Sequence, residues 1–132
     1  MANDNIRAKR PLSPHLTIHK PIPTMVMSIF HRITGMGLYF GTLLLAWWLM
    51  AAASGPAYFD WVNGFFGSWF GILLLIGFSW ALIHHMLGGI RHLIWDTGVW
   101  MEKHNSTRLA WATIIGSLAL TLVVWLAGIA LR

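Results

Sequence analysis

The sequence predicts an all-α membrane protein with three transmembrane helices and its N-terminus in the cytoplasm. Three observations carry that reading. Apolar residues make up 57% of the 132 residues and charged ones only 10%, too few to cover a soluble domain of this length. The charges cluster, with Arg7, Lys9, Arg10 and Lys20 early and Asp96, Glu102, Lys103 and Arg108 late, and long uncharged stretches run between the clusters. Of nine tryptophans, Trp47, Trp48, Trp61, Trp69, Trp95 and Trp100 fall near the ends of those stretches, where aromatic belts form.

The elements follow in order. Residues 1–24 form an arm too polar for a secretory signal peptide, which needs an apolar centre. Pro21 and Pro23 suit a helix entry, and the first span is expected over about residues 25–53. Its clean apolar part, Ile33 to Ala53, is 21 residues long, against roughly 20 needed to cross the hydrocarbon. SGPAYFDWVNG carries Gly, Pro and Asn and is predicted to be a loop. The second span is expected over about residues 64–95, uncharged to Ile83 and then continuing as helix through a histidine cluster. DTGVWMEKHNST is the second loop, and Leu109–Leu131 supplies a third uncharged span of 23 residues, so that residues 25–132 make one three-span anchor domain.

Basic residues set the orientation. The arm has four Lys/Arg, the second loop has two and the first loop has none, which places the arm and the second loop in the cytoplasm, with Arg132 a mild exception on the outer side. No cleaved organellar presequence is evident, so a bacterial inner membrane is the simpler location. The net charge of +5 belongs to the arm and loops, not to a nucleic-acid-binding face. The chain has no cysteine, which excludes iron–sulfur clusters, disulfides and covalently attached haem within it and leaves histidine as the strong metal ligand. Three helices can bury little against one another, so lipid and a partner subunit are expected to cover the rest.

Ionisable groups inside a span are costly, about 2.5–3.5 kcal/mol for an arginine at a helix centre. Arg32 and Arg91 are therefore conspicuous, although both lie near span ends where a long side chain can snorkel. In SIFHRITG, Ser28 and Arg32 are four apart on one helix face and Gly35 continues that face, a set that suits hydrogen bonding to a carbonyl or carboxylate. A serine bonded back to its own helix is the plainer alternative. His31 faces a neighbouring direction. In HHMLGGIRHLIWD, Gly88 and Gly89 follow His85 by one turn, room for a flat macrocycle, and His92 lies two turns along the same face with Asp96 four residues on. His84 has its own groove of Ala81 and Gly88, so spacing leaves the choice between His84 and His85 as a haem-iron ligand open. His31 and His92 lie too near the inner end to be the second axial ligand, which points to a histidine on another chain.

Arg10–Leu12, followed by SIFHRITG at 28–35 and HMLGGIRHLIWDTG at 85–98, resembles the two signatures of the succinate dehydrogenase cytochrome b subunit, the large membrane anchor of complex II. The resemblance extends over nearly the whole chain. It implies a subunit of succinate:ubiquinone oxidoreductase, not catalytic for succinate on its own, that passes electrons from succinate oxidation to ubiquinone. It implies haem b with His85 as axial ligand, His31 and Arg32 near the haem propionates and, more weakly, His92 on the same side. Ser28 and Arg32, with Ile29 packing nearby, would line the ubiquinone pocket. A small anchor subunit would supply the second axial histidine. An iron–sulfur subunit and a flavoprotein subunit would carry the clusters and FAD. The anchor of a quinol:fumarate reductase uses the same parts in reverse. A non-redox structural anchor is a further alternative. A transporter would need a polar stripe across the whole membrane, and the outer half of each span has no ionisable group.

Overall fold

The computed structural model describes residues 20–131, which form four helices with no strand among the described residues. They are α1 (Pro23–Ser54), α2 (Pro56–Gly67), α3 (Trp69–Asp96) and α4 (Lys103–Ala130). Arg7, Lys9, Arg10, the Arg10–Leu12 element and Arg132 lie outside the described residues. Helices α1, α3 and α4 are each long and apolar enough to cross a membrane. α3 is central and packs against both of the others, while α1 and α4 touch less extensively.

Apart from Met27, the seams between the spans are lined by small or polar side chains. α1 buries Met27, Thr34 and Gly41 at seven-residue spacing, and then Ala51. α3 buries Gly71, His84, Gly88 and Arg91, and α4 buries Ala110, Thr113, Ser117 and Thr121. Large apolar residues such as Leu43, Leu73, Leu93, Leu118 and Leu126 point outward. Lipid offers no hydrophobic incentive for helices to associate, so contact relies on close backbone approach and hydrogen bonds. Thr113 and Thr121 return their hydroxyls to the carbonyls of Leu109 and Ser117, which removes unsatisfied polar groups from the α4 seam.

The segment expected as the first loop is instead α2, and the second span starts five residues later than expected, at Trp69 rather than residue 64. Its loop-like residues act as helix boundaries. Gly55, at φ 113°, turns the chain out of α1, and Pro56 occupies the first helical turn of α2, where a missing N–H costs nothing. Val62 and Phe66, one turn apart, pack on Ala51 with Leu44, Trp47, Trp48, Phe65 and Leu74 around them. Trp47 Nε1 donates to the Tyr58 hydroxyl at 2.9 Å and Trp48 Nε1 to Asn63 Oδ1 at 3.3 Å. α2 therefore folds back over the end of α1, with its polar groups bonded to tryptophans of the aromatic belt.

Ser68 divides α2 from α3: its Oγ accepts the Gly71 N–H at 3.1 Å and its hydroxyl donates to the Phe65 carbonyl at 2.6 Å. At the other end, α4 begins at Lys103 rather than near Leu109, so Lys103 and Arg108 are helical residues of its first turns. Gly71→Ala would bring a methyl against the backbone of Phe65 and Phe66. We expect it to lower the thermal midpoint of the detergent-purified protein more than Ser68→Ala, which removes a cap usually worth about 1 kcal/mol.

Candidate functional site

The histidine-bearing ends of α1 and α3 meet through a reciprocal pair of contacts. A Cβ placed on Gly88 of α3 would lie 2.5 Å from Nδ1 of His31, and one on Gly35 of α1 would lie 3.1 Å from Cε1 of His85. Each imidazole fills the space that a glycine leaves on the opposite helix. The two rings stack with centroids 3.9 Å apart and planes 8° from parallel. The gaps expected beside His85 and Ser28 are thus divided differently from the sequence reading. Gly88 holds His31 and Gly35 holds His85, whereas Gly89 has no atom within 4 Å of its missing side chain and stays open.

The stack fixes what His85 presents. Its Nδ1 lies 3.1 Å from the His31 carbonyl oxygen. That oxygen can only accept, so Nδ1 carries the proton and the lone pair of the neutral ring is on Nε2. Nε2 has no hydrogen bond among the described residues and stays at the surface of the chain. A histidine whose Nδ1–H is anchored to a backbone carbonyl and whose Nε2 is free is oriented as a metal ligand.

His84 differs in every respect. It is 2% exposed and its Nδ1 lies 3.1 Å from Ser117 Oγ on α4. The Ser117 hydroxyl is already donated to the Ile114 carbonyl at 2.9 Å, so Ser117 accepts the His84 proton. Phe30 and Trp80 flank the ring at 6.2 and 5.2 Å between centroids. His84 is a bond between α3 and α4, with no space beside it for a macrocycle.

Toward the end of α3 the remaining groups are short of partners. Arg91 is 3% exposed, and its Nε and Nη1 have no hydrogen-bond partner among the described residues. The same is true of His31 Nδ1 and Trp95 Nε1. The Arg91 guanidinium lies 5.1 Å from the centre of the Trp95 ring, and the His92 ring lies 5.3 Å from Trp95 and 5.5 Å from His31. His92 is exposed and forms no ion pair with Asp96 among the described residues, although the i, i+4 spacing permits one. On α1, Ser28 is half-buried while Ile29 and Arg32 are exposed. Thr34, Ser79 and Thr113 return their hydroxyls to their own helices, but Ser28 does not among the described residues. Ser28 and Arg32 therefore share one helix face, four residues apart, with no side-chain hydrogen bond among the described residues. Sequence reasoning did not single out Thr34 or Ser117 and read Trp95 only as an aromatic-belt residue, because hydroxyls and indoles in spans are common and only the fold shows which are paired.

A family model described as the succinate dehydrogenase/fumarate reductase transmembrane subunit matches residues 6–124. The chain belongs to that family. It is 41% identical over 128 residues to the succinate dehydrogenase cytochrome b556 subunit of Paracoccus denitrificans, covering 95% of this chain and 98% of that one. The cytochrome b556 subunit of Rickettsia typhi is 36% identical over 117 residues, 89% of this chain and 91% of that one. The cytochrome b560 subunit of Marchantia polymorpha is 39% identical over 103 residues, 74% of each chain. The relatives of this transmembrane subunit are thus succinate dehydrogenase cytochrome b subunits, and the likeness extends over most of the chain.

Within this family member, Gly88→Ala acts on the chain itself, because its methyl meets the His31 ring. We expect a fall in the thermal midpoint of the purified subunit. Gly89→Ala meets nothing within 4 Å and is expected to leave that midpoint near the parent's, its effect on stability staying within about 0.5 kcal/mol.

Proposed function

We propose that the chain is the membrane anchor and cytochrome b subunit of a succinate:ubiquinone oxidoreductase, holding haem b jointly with a small anchor subunit. The observation that supports this most is the free Nε2 of His85, held outward by the Nδ1–H bond to the His31 carbonyl. Haem b, when bound, supplies a one-electron store at this position.

The residues present fit such a group. His85 Nε2 is a ready axial ligand, and the open surface at Gly89, one turn along, accepts a flat ring against the helix. Arg91 and Trp95 offer buried donors without acceptors, and His31 Nδ1 is a buried ring nitrogen without a partner among the described residues. A buried charge stripped of its partner typically costs about 3–5 kcal/mol, so an acidic group is needed beside Arg91, and haem carboxylates meet that need. Arg32 and, more weakly, His92 lie on the same end of the bundle and would add to that anion-binding pocket. The second axial histidine would come from the small anchor subunit, which would also cover outward-facing apolar surface of the three spans.

Ser28 and Arg32, with Ile29 beside them, form the ubiquinone pocket in this reading. The free Ser28 hydroxyl donates to a quinone carbonyl. The Arg32 guanidinium stabilises negative charge as it develops on the quinone oxygen. Positive-inside orientation puts this end at the cytoplasmic face of a bacterial inner membrane. An iron–sulfur subunit docked there would deliver electrons from a flavoprotein subunit that binds FAD and oxidises succinate. The absence of cysteine in this chain agrees with that division.

A dithionite-reduced spectrum of the purified complex tests the reading. A b-type band that His85→Ala abolishes and His84→Ala retains is the expected result. No such band in the parent complex rejects it. Ser28→Ala and Arg32→Ala should each lower quinone reduction at least about tenfold while sparing succinate oxidation by artificial dyes. Unchanged quinone turnover in both removes these residues from the pocket.

A further inference from the structure

We infer that Thr34 is a positioning residue for His85: its hydroxyl oxygen is the second acceptor on the Nδ1–H side of the ring and sets how strongly Nε2 donates to a metal. This rests on the reading of His85 as a haem ligand.

Thr34 is 3% exposed, on α1, one turn from His31. Its hydroxyl hydrogen is committed to the carbonyls of Phe30 at 2.8 Å and His31 at 3.0 Å. Toward any third group Oγ1 can therefore only accept. That third group is Nδ1 of His85, at 3.4 Å. The same nitrogen faces the His31 carbonyl at 3.1 Å. Both neighbours of Nδ1 are thus acceptors, and the proton is held between them. The two acceptors and the His31 stack constrain the ring from three sides. Gly35 makes this possible: without a side chain, it lets His85 reach the backbone and Thr34 together.

Acceptors on the far nitrogen raise the electron density at a ligating imidazole and favour the higher oxidation state of the metal. Ligand donation is thus tuned from α1, by a residue that touches neither iron nor quinone. His84 lacks this arrangement, since its proton goes to a single acceptor, Ser117.

The test uses the whole purified complex with Thr34→Val, Thr34→Ala and Thr34→Ser, and reads haem content, midpoint potential and low-temperature EPR. The expected result is an upward shift of the potential and a displaced low-spin signal in Thr34→Val and Thr34→Ala, both restored in Thr34→Ser. Parent-like potential and signal in both hydroxyl-free variants overturn the inference and leave the haem assignment standing. Absence of haem from the parent complex overturns the assignment itself. Where both hydroxyl-free variants assemble with their partner subunits but lose haem, retention in Thr34→Ser supports the inference and loss in Thr34→Ser as well refutes it.

Discussion

Two imidazoles and two glycines join the first and third helices, and the rest of the site depends on that exchange. His31 occupies the space at Gly88 and His85 the space at Gly35, so the rings stack face to face between helices that approach closely. A hydrocarbon surrounding offers these helices no other strong reason to pair. The same contact delivers the His85 Nδ1–H to a backbone carbonyl, which determines the tautomer and leaves Nε2 outward. Packing and chemistry at this point are one arrangement. A residue that loosened the stack would also release the orientation of the ring.

Adjacent histidines on one helix take opposite roles because they are about 100° apart. His84 turns toward α4 and gives its proton to Ser117, deep in the chain. His85 turns toward α1 and keeps one nitrogen free. Beyond them, Arg91 and Trp95 are buried with donors that the described residues do not satisfy. A native interior rarely leaves such groups unpaired. The chain belongs to a family described as the transmembrane subunit of succinate dehydrogenase or fumarate reductase, and a partner for these donors is what the proposed haem carboxylates would supply.

The three spans were legible in the sequence because charge clusters bound them, and the histidine motif was legible because ionisable groups are rare inside such spans. α2 was not. Gly55, Pro56 and Gly67 carry the composition of a loop, and only the packing of Val62 and Phe66 on Ala51 makes the segment helical. Spacing reads the glycines as space for a ligand; histidines fill that space at Gly88 and Gly35, and at Gly89 no atom of the chain lies within 4 Å. Spacing marks where side chains are missing; it does not say which neighbour enters. Spacing alone left His84 and His85 open and the resemblance implied His85; the fold adds what each ring meets, Ser117 for His84 and the His31 carbonyl for His85, which lie 33 and 54 positions away.

The central claim is that His85 Nε2 faces a metal held between this chain and a neighbouring subunit. A density map of the assembled complex at side-chain resolution tests it most directly. The account predicts continuous density from His85 Nε2 to the iron of a flat macrocycle lying against Gly89, with carboxylates reaching Arg91. Acyl chains or a tightly packed partner helix in that space, or density that joins the iron to His84, would contradict it.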